Sequence, residues 1–165
     1  MSGPQRGDRG GHAALLRAAA PEDLDAVVVI ERVSFSDPPW TRAAFAWLLT
    51  APHMRFVVAC DPGSGAVVGY IVTSVVVDEA EIANLAVAPD WRWRGVGARL
   101  VDDAIAHAAA AGAGVVYLEV RQSNAAARAL YRSRAFVAVG RRRDYYRNPV
   151  EDAEVLERRT RGGGA

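Results

Sequence analysis

The chain has 165 residues, 51% of them apolar, and a formal net charge of +1. That length and composition suit one domain with a sizeable core. The balanced charge excludes a global field that would mark a nucleic-acid or membrane-surface partner. All 20 basic residues are arginine, so no side-chain amine is present to act as a base, a Schiff-base nucleophile or a modification target. The single cysteine, Cys60, excludes an internal disulfide framework and a thiolate metal cluster. It ends the apolar run FVVAC and reads as a small core residue. His12, His53 and His107 are scattered without ligand spacing, so no metal site is expected. No apolar run reaches membrane-spanning length, and a cytoplasmic protein is the expectation.

Residues 1–12 are rich in Gly and Arg without an apolar signal core, and they read as a flexible tail. Residues 159–165 read the same way, which leaves 13–158 as the domain. ALLRAA (14–19) suits a first strand. PEDLDAVVVIERVSF begins with Pro21 and two acids, the chemistry of a helix start. DPPW (37–40) breaks the chain, and Thr41 can cap a second short helix, RAAFAWLLT. HMRFVVAC and AVVGYIVTSVVV flank the turn-rich DPGSG and predict a hairpin. Asp78 and Glu79 mark the next turn, and EIANLAVAP is a strand stopped by Pro89. A helix follows RWRGVG, with Val96, Leu100, Val101, Ala104, Ile105 and Ala108 at the helical period and Gly112 at its end. VVYLEV is the next strand, so strand, helix and strand make a parallel right-handed crossover. SNAAARALYRSRA reads as a last helix capped by Ser123 or Asn124, and FVAVGRRRDYY with EDAEVLERR as a closing antiparallel pair. The fold class is mixed α/β, with a largely antiparallel sheet and one parallel crossover.

Three stretches carry chemistry. In RWRGVG (92–97), two glycines between a strand and a helix start let backbone approach a ligand, and the helix N-terminus presents unpaired N–H groups to phosphate oxygens. Arg92 and Arg94 can add charge or face solvent. Plain turn glycines explain Gly95 and Gly97 equally well, and a dinucleotide fold fits poorly because Leu100 replaces the third glycine. In VVYLEV, alternation puts Val115, Tyr117 and Glu119 on one face. Glu119 therefore sits at the C-terminal end of a parallel strand, where ligand sites gather. There, desolvation raises the pKa of a carboxyl and suits it to general-base work; a solvated edge charge is the bland alternative. Asn124 and Tyr131 lie two helical turns apart on one face. A phenol there can protonate a leaving group, or simply pack with its hydroxyl bonded to backbone.

Together these stretches resemble the GNAT acetyltransferase superfamily. Arg92, Gly95 and Gly97 fit its Gln/Arg-x-x-Gly-x-Gly/Ala loop. NLAV (84–87), LEVR-x-SN (118–124), LY (130–131), YY (145–146) and EDA (151–153) resemble the branch that acetylates the N-terminal alanine of a small-subunit ribosomal protein, as do PW (39–40) and VDEA (77–80). The resemblance spans residues 13–158 and implies a sheet with a splayed parallel pair and a β-α-β crossover that binds CoA. It implies that acetyl-CoA pairs with backbone of Leu85, Ala86 and Val87. Its pyrophosphate would rest on Arg92, Trp93, Arg94, Gly95, Val96, Gly97 and Ala98, and Asn124 would contact the cofactor. It further implies Glu119 as general base and Tyr131 as general acid, with direct transfer and no acyl-enzyme. The chemistry is consistent: an α-amine of pKa about 8 must lose a proton before attack, and a departing thiolate of pKa about 8.5 can be quenched by a phenol. The N–H of Val87 can serve the oxyanion. Acceptor contacts are expected at PW (39–40) and at Asp144 to Asn148, with no membrane or direct nucleic-acid contact; Arg141–Arg143 read as a solvated strand face. One departure is Ala135, where the family has Gly before Phe136; a left-handed conformation there costs alanine about 1 kcal/mol. Acetylation of a small amine or of a lysine side chain, and a catalytically silent CoA-binding module, are the alternatives.

Overall fold

The computed structural model describes residues 12–160. In chain order the strands are β1 (Leu15–Ala18), β2 (Met54–Cys60), β3 (Val67–Val76), β4 (Glu79–Val87), β5 (Val115–Arg121), β6 (Val137–Arg147) and β7 (Val150–Arg159). The helices are α1 (Leu24–Ser34), α2 (Arg42–Leu48), α3 (Val96–Ala110) and α4 (Ala125–Ser133), with short 3-10 turns at Pro21–Asp23 and Pro89–Trp91. Local chemistry sets these limits. The Thr41 hydroxyl accepts from Ala44 N at 3.1 Å and starts α2. Asp61 accepts from Gly63 N at 3.0 Å and closes the β2–β3 turn. Gly112, at φ 90°, ends α3.

The strands form one sheet in the order β1-β2-β3-β4-β5-β7-β6. Every neighbouring pair is antiparallel except β4 with β5. Helices cover both faces. Leu24, Val27, Phe45 and Leu48 of α1 and α2 pack on Phe56, Val58, Tyr70 and Val72. Leu100, Val101 and Ala104 of α3 and Tyr131 of α4 pack on Ile71, Ile82, Val116 and Leu118. Each face thus takes alternate strand residues, as a half-buried pleat requires.

Two boundaries differ from the sequence reading. Glu79, expected in a turn, is the first residue of β4. Arg159, expected to open a C-terminal tail, belongs to β7, and the Thr160 hydroxyl donates to Ala113 O at 2.5 Å; residues 161–165 lie outside the described residues. Pairing of Arg159 with Val115 of β5 carries the strand past its last apolar residue, Leu156. The expected N-terminal tail, apart from His12, lies outside the described residues.

Candidate active site

The site begins with a break in the sheet. β4 and β5 pair only over Glu79–Glu81 with Val115–Tyr117. In the β3–β4 register Thr73 faces Ile82 but Val72 faces Asn84, so Ala83 is an inserted residue. Such a bulge bends its strand, and beyond it β4 and β5 part. Ala88 N bonds to Val68 O at 2.7 Å. By antiparallel alternation Ala86 turns its polar backbone toward β3, while Leu85 and Val87 turn theirs toward the gap. A cleft of about 700 Å³ fills that gap, lined by Leu85, Glu119, Asn124 and Tyr131 among others. Four of the residues singled out from sequence therefore meet in one cavity.

Glu119 lies on β5 with its side chain 17% exposed, and its Oε1 pairs with Arg142 Nε at 2.8 Å. Arg142 reaches it from β6, across the intervening β7. The carboxylate is thus ion-paired rather than alone in a dry cleft. Glu81, the last β4 residue paired with β5, is a second carboxylate beside it. Burial, reinforced by the Glu119 charge, pushes the Glu81 carboxyl above its usual range, and Arg142 opposes that shift.

Tyr131 is positioned by the end of α4. Phe136 N bonds to Tyr131 O at 3.1 Å and Ala135 N to Arg132 O at 3.0 Å, the paired bonds of a Schellman ending. The rings of Tyr131 and Phe136 meet edge-on at 5.5 Å, the apolar contact that goes with it. Ala135 takes φ 65°, the left-handed conformation that glycine favours. Burial, with a smaller contribution from Tyr146, raises the phenol pKa of Tyr131, so the phenol is held protonated. Asn124 caps α4, its side-chain oxygen accepting from Ala127 N at 3.1 Å, so one end of the amide is already used.

Residues 92–98 do not line the cleft; they stand at the start of α3. Gly95 is the N-cap at φ 80°, no side chain caps the helix, and a Cβ there would meet nothing within 4 Å. Its need is conformational, and the space beside it is open. Gly97 differs: a Cβ would meet Leu130 Cδ2 at 3.2 Å and Val87 Cγ2 at 3.8 Å. This second glycine lets α3 close on α4 and β4. Val96 is buried, whereas Trp93 is 90% exposed at φ 65°. Arg92 Nε donates to Val87 O at 3.0 Å, and the Arg94 guanidinium sits 4.8 Å from the Trp91 ring centroid. Both arginines brace the loop while remaining exposed, and the helix start adds its own unpaired N–H groups.

Sequence reasoning missed two residues of this cleft. Glu31 of α1 is only 2% exposed. It accepts from Trp40 N at 3.0 Å, from Asn84 Nδ2 at 2.9 Å and from the Tyr70 hydroxyl. Arg121 ends β5 and pairs with Asp37 at 2.5 Å and Glu151 at 3.0 Å. Glu31 had no local signal and Arg121 stood only within the LEVR stretch without a role, because the partners of both are distant in sequence. Among the described residues no group of three or more His, Cys, Asp or Glu could hold a metal ion.

Comparison with known proteins agrees with this geometry. The Acetyltransferase (GNAT) family model matches residues 22–136. The N-alpha-acetyltransferase RimI of Mycobacterium tuberculosis is 42% identical over 126 residues, covering 74% of this chain and 77% of that protein. The [Ribosomal protein bS18]-alanine N-acetyltransferase of Escherichia coli is 36% identical over 136 residues, covering 81% and 89%. The crystal structure of the Escherichia coli ribosomal-protein-S18-alanine N-acetyltransferase superposes with a TM-score of 0.80 at 32% identity, covering 92% of this chain and 96% of that one. The parted strands, the glycine-capped helix and the matched span have one common explanation: the chain belongs to the GNAT acetyltransferase family.

Proposed function

We propose that this chain moves the acetyl group of acetyl-CoA onto the α-amine of a protein N-terminus, with the N-terminal alanine of ribosomal protein bS18 as acceptor. The observation that carries the reading is the meeting of Glu119, Tyr131 and the unpaired β4 edge in one cleft. Supporting it, relatives that cover most of the chain include RimI and bS18-alanine N-acetyltransferases. Acetyl-CoA is the family's donor. In this chain its pantetheine arm would pair with backbone at Leu85 and Val87, and its pyrophosphate would rest on the uncapped start of α3.

Glu119 takes a proton from the acceptor ammonium. The freed amine attacks the thioester carbonyl, and the N–H of Val87 stabilises the oxyanion. As the carbon–sulfur bond breaks, Tyr131 gives its proton to the sulfur, leaving CoA and the N-acetylated chain. Burial keeps the Tyr131 phenol neutral, so the proton is in place when the thiolate leaves, and the same burial weakens it as an acid.

Mass spectrometry of transfer to peptides tests the reading. Acetylation of a free N-terminal Ala, with none on an internal Lys when the N-terminus is blocked, is the expected result. Acetyl on lysine in both peptides, or no transfer despite acetyl-CoA binding, would overturn it.

A further inference from the structure

We propose that Asp37 and Arg121 act as positioning residues for the acceptor, by locking the segment between α1 and α2 onto the β6–β7 hairpin. The proposal rests on the acetyl-transfer reading above and adds to it a pair of residues that touch neither donor nor base.

The lock is built from many directed contacts across a long stretch of sequence. Asp37 Oδ1 accepts from Arg147 N at 3.1 Å and from Asn148 N at 2.8 Å. Its Oδ2 accepts from Arg121 Nη2 at 2.5 Å. Ser36 Oγ donates to Asn148 O at 2.7 Å, and Asn148 Nδ2 returns a bond to Ser36 O at 2.9 Å. Arg121 extends the lock along the hairpin: it donates to Glu151 Oε1 at 3.0 Å and to Pro149 O at 3.1 Å, and its guanidinium lies 4.4 Å from the Tyr146 ring centroid. The far end of the same segment is fixed where Trp40 N donates to the buried Glu31.

The locked pieces are walls of the cleft. Ser36, Asp37, Pro38, Tyr145, Tyr146 and Arg147 all line it, and so does Glu119. Arg121 is two residues beyond Glu119 on the same strand face. One arginine therefore ties both walls to the strand that carries the proposed base. The pair is partly desolvated, with side chains 17% and 23% exposed for Arg121 and Asp37. Burial works against the Asp37 charge, yet the N–H groups of Asn148 and Arg147 and the Arg121 guanidinium still hold its carboxyl below the usual range. Charge-assisted bonds of this kind, shielded from water, give geometry as well as energy. Without Asp37 two hairpin N–H groups lose their acceptor and Arg121 keeps only its hairpin partners, so the arginine no longer ties the α1–α2 segment to the hairpin and the walls no longer share a fixed spacing. An acceptor chain must then order them itself, a cost that appears in acceptor binding.

The test uses the full chain with Asp37→Ala, Asp37→Asn and Arg121→Gln, an Ala-initiated peptide and acetyl-CoA. Steady-state kinetics give kcat and both KM values, calorimetry gives the acetyl-CoA Kd, and thermal unfolding gives Tm. Asp37→Ala is expected to raise the acceptor KM by about tenfold or more, with acetyl-CoA Kd within about twofold of wild type. Asp37→Asn should fall between, because its amide oxygen still accepts from the hairpin N–H groups but loses the charge that holds Arg121. Should Asp37→Ala fail to fold, Asp37→Asn and Arg121→Gln carry the comparison alone. Acceptor KM and acetyl-CoA Kd worsening together, in step with lost Tm, would make the pair a stability device and overturn the proposal. An unchanged acceptor KM in folded variants overturns it as well. A wild-type chain that binds acetyl-CoA but acetylates no Ala-initiated peptide would instead sink the acetyl-transfer reading, and the positioning role with it.

Discussion

Replacing Ala135 by Gly should stabilise this protein. Ala135 sits at φ 65° just past α4, held there by the Phe136 N to Tyr131 O and Ala135 N to Arg132 O bonds. An L-residue in that conformation carries a penalty of roughly 1–2 kcal/mol, from its Cβ against the following carbonyl. Glycine relieves the clash but returns about 0.4–1 kcal/mol through the larger entropy of its unfolded chain. At the midpoints of those ranges the net gain is about 0.8 kcal/mol, and at most about 1.6 kcal/mol, which for a domain of this size is a Tm rise of about 2–3 °C at the midpoint. Thermal unfolding by circular dichroism reads the shift, and urea unfolding should show a higher midpoint at unchanged slope. Ala129→Gly is the control. It lies exposed within the same helix, where glycine costs about 1 kcal/mol, so the two substitutions should move Tm in opposite directions. Ala135→Gly leaving Tm at or below wild type would refute the reasoning. It would mean that the helix ending relaxes at no cost, or that the strain is balanced elsewhere. Because the Schellman bonds survive the change, Tyr131 keeps its place, and kcat should stay within about twofold of wild type.

Three further substitutions address the chemistry and the cofactor loop. Glu119→Gln and Tyr131→Phe should each lower kcat by about 10²–10⁴-fold with acetyl-CoA Kd unchanged; turnover untouched in either would remove that residue from its role. Burial holds the Tyr131 pKa above its usual range, so a pH–kcat profile should show no fall from loss of this proton up to about pH 10. Gly97→Ala places a methyl 3.2 Å from Leu130 Cδ2. The Leu130 side chain must give by a few tenths of an ångström, against the roughly 1 kcal/mol that alanine gains over glycine inside a helix. Tm should therefore stay within about 4 °C of wild type and the acetyl-CoA Kd by calorimetry within about twofold; a loss of acetyl-CoA binding would show that the loop needs glycine there.

Much of this site was legible because its signals were local. Strand alternation placed Glu119 on the face opposite Leu118, and the structure buries Leu118 while leaving Glu119 facing the cleft. Helical spacing put Asn124 and Tyr131 together, and both line that cleft. The unusual Ala135 pointed to a left-handed helix ending, and φ 65° is found there. What escaped depends on partners far along the chain. The bulge at Ala83 has no turn residue or glycine to announce it; it appears only in the register against β3. Glu31, inside an apolar helix, gave no sign that Tyr70 and Asn84 would converge on it. Nor did the sequence show that the arginines of the glycine loop also brace it, Arg92 through Val87 and Arg94 against Trp91.

The pairing of Glu119 with Arg142 is the departure with the most consequence for mechanism. A carboxylate was expected to owe its reactivity to dryness. Instead it holds a guanidinium at 2.8 Å, delivered from two strands away by an arginine whose side chain is 59% exposed. On the acetyl-transfer reading this exchange is productive. The acceptor arrives as an ammonium, a cation of the same charge, and can take the place that Arg142 leaves. Little net charge is then uncovered as the base is engaged, and the mobility of a long, half-exposed side chain makes the swap inexpensive. The paired state also keeps Glu119 and Glu81 from facing each other uncompensated when no acceptor is present. Burial and Glu119 already raise the Glu81 carboxyl, with Arg142 opposing them. On the acetyl-transfer reading, the same arginine steadies two carboxylates at rest and would yield one of them to the substrate.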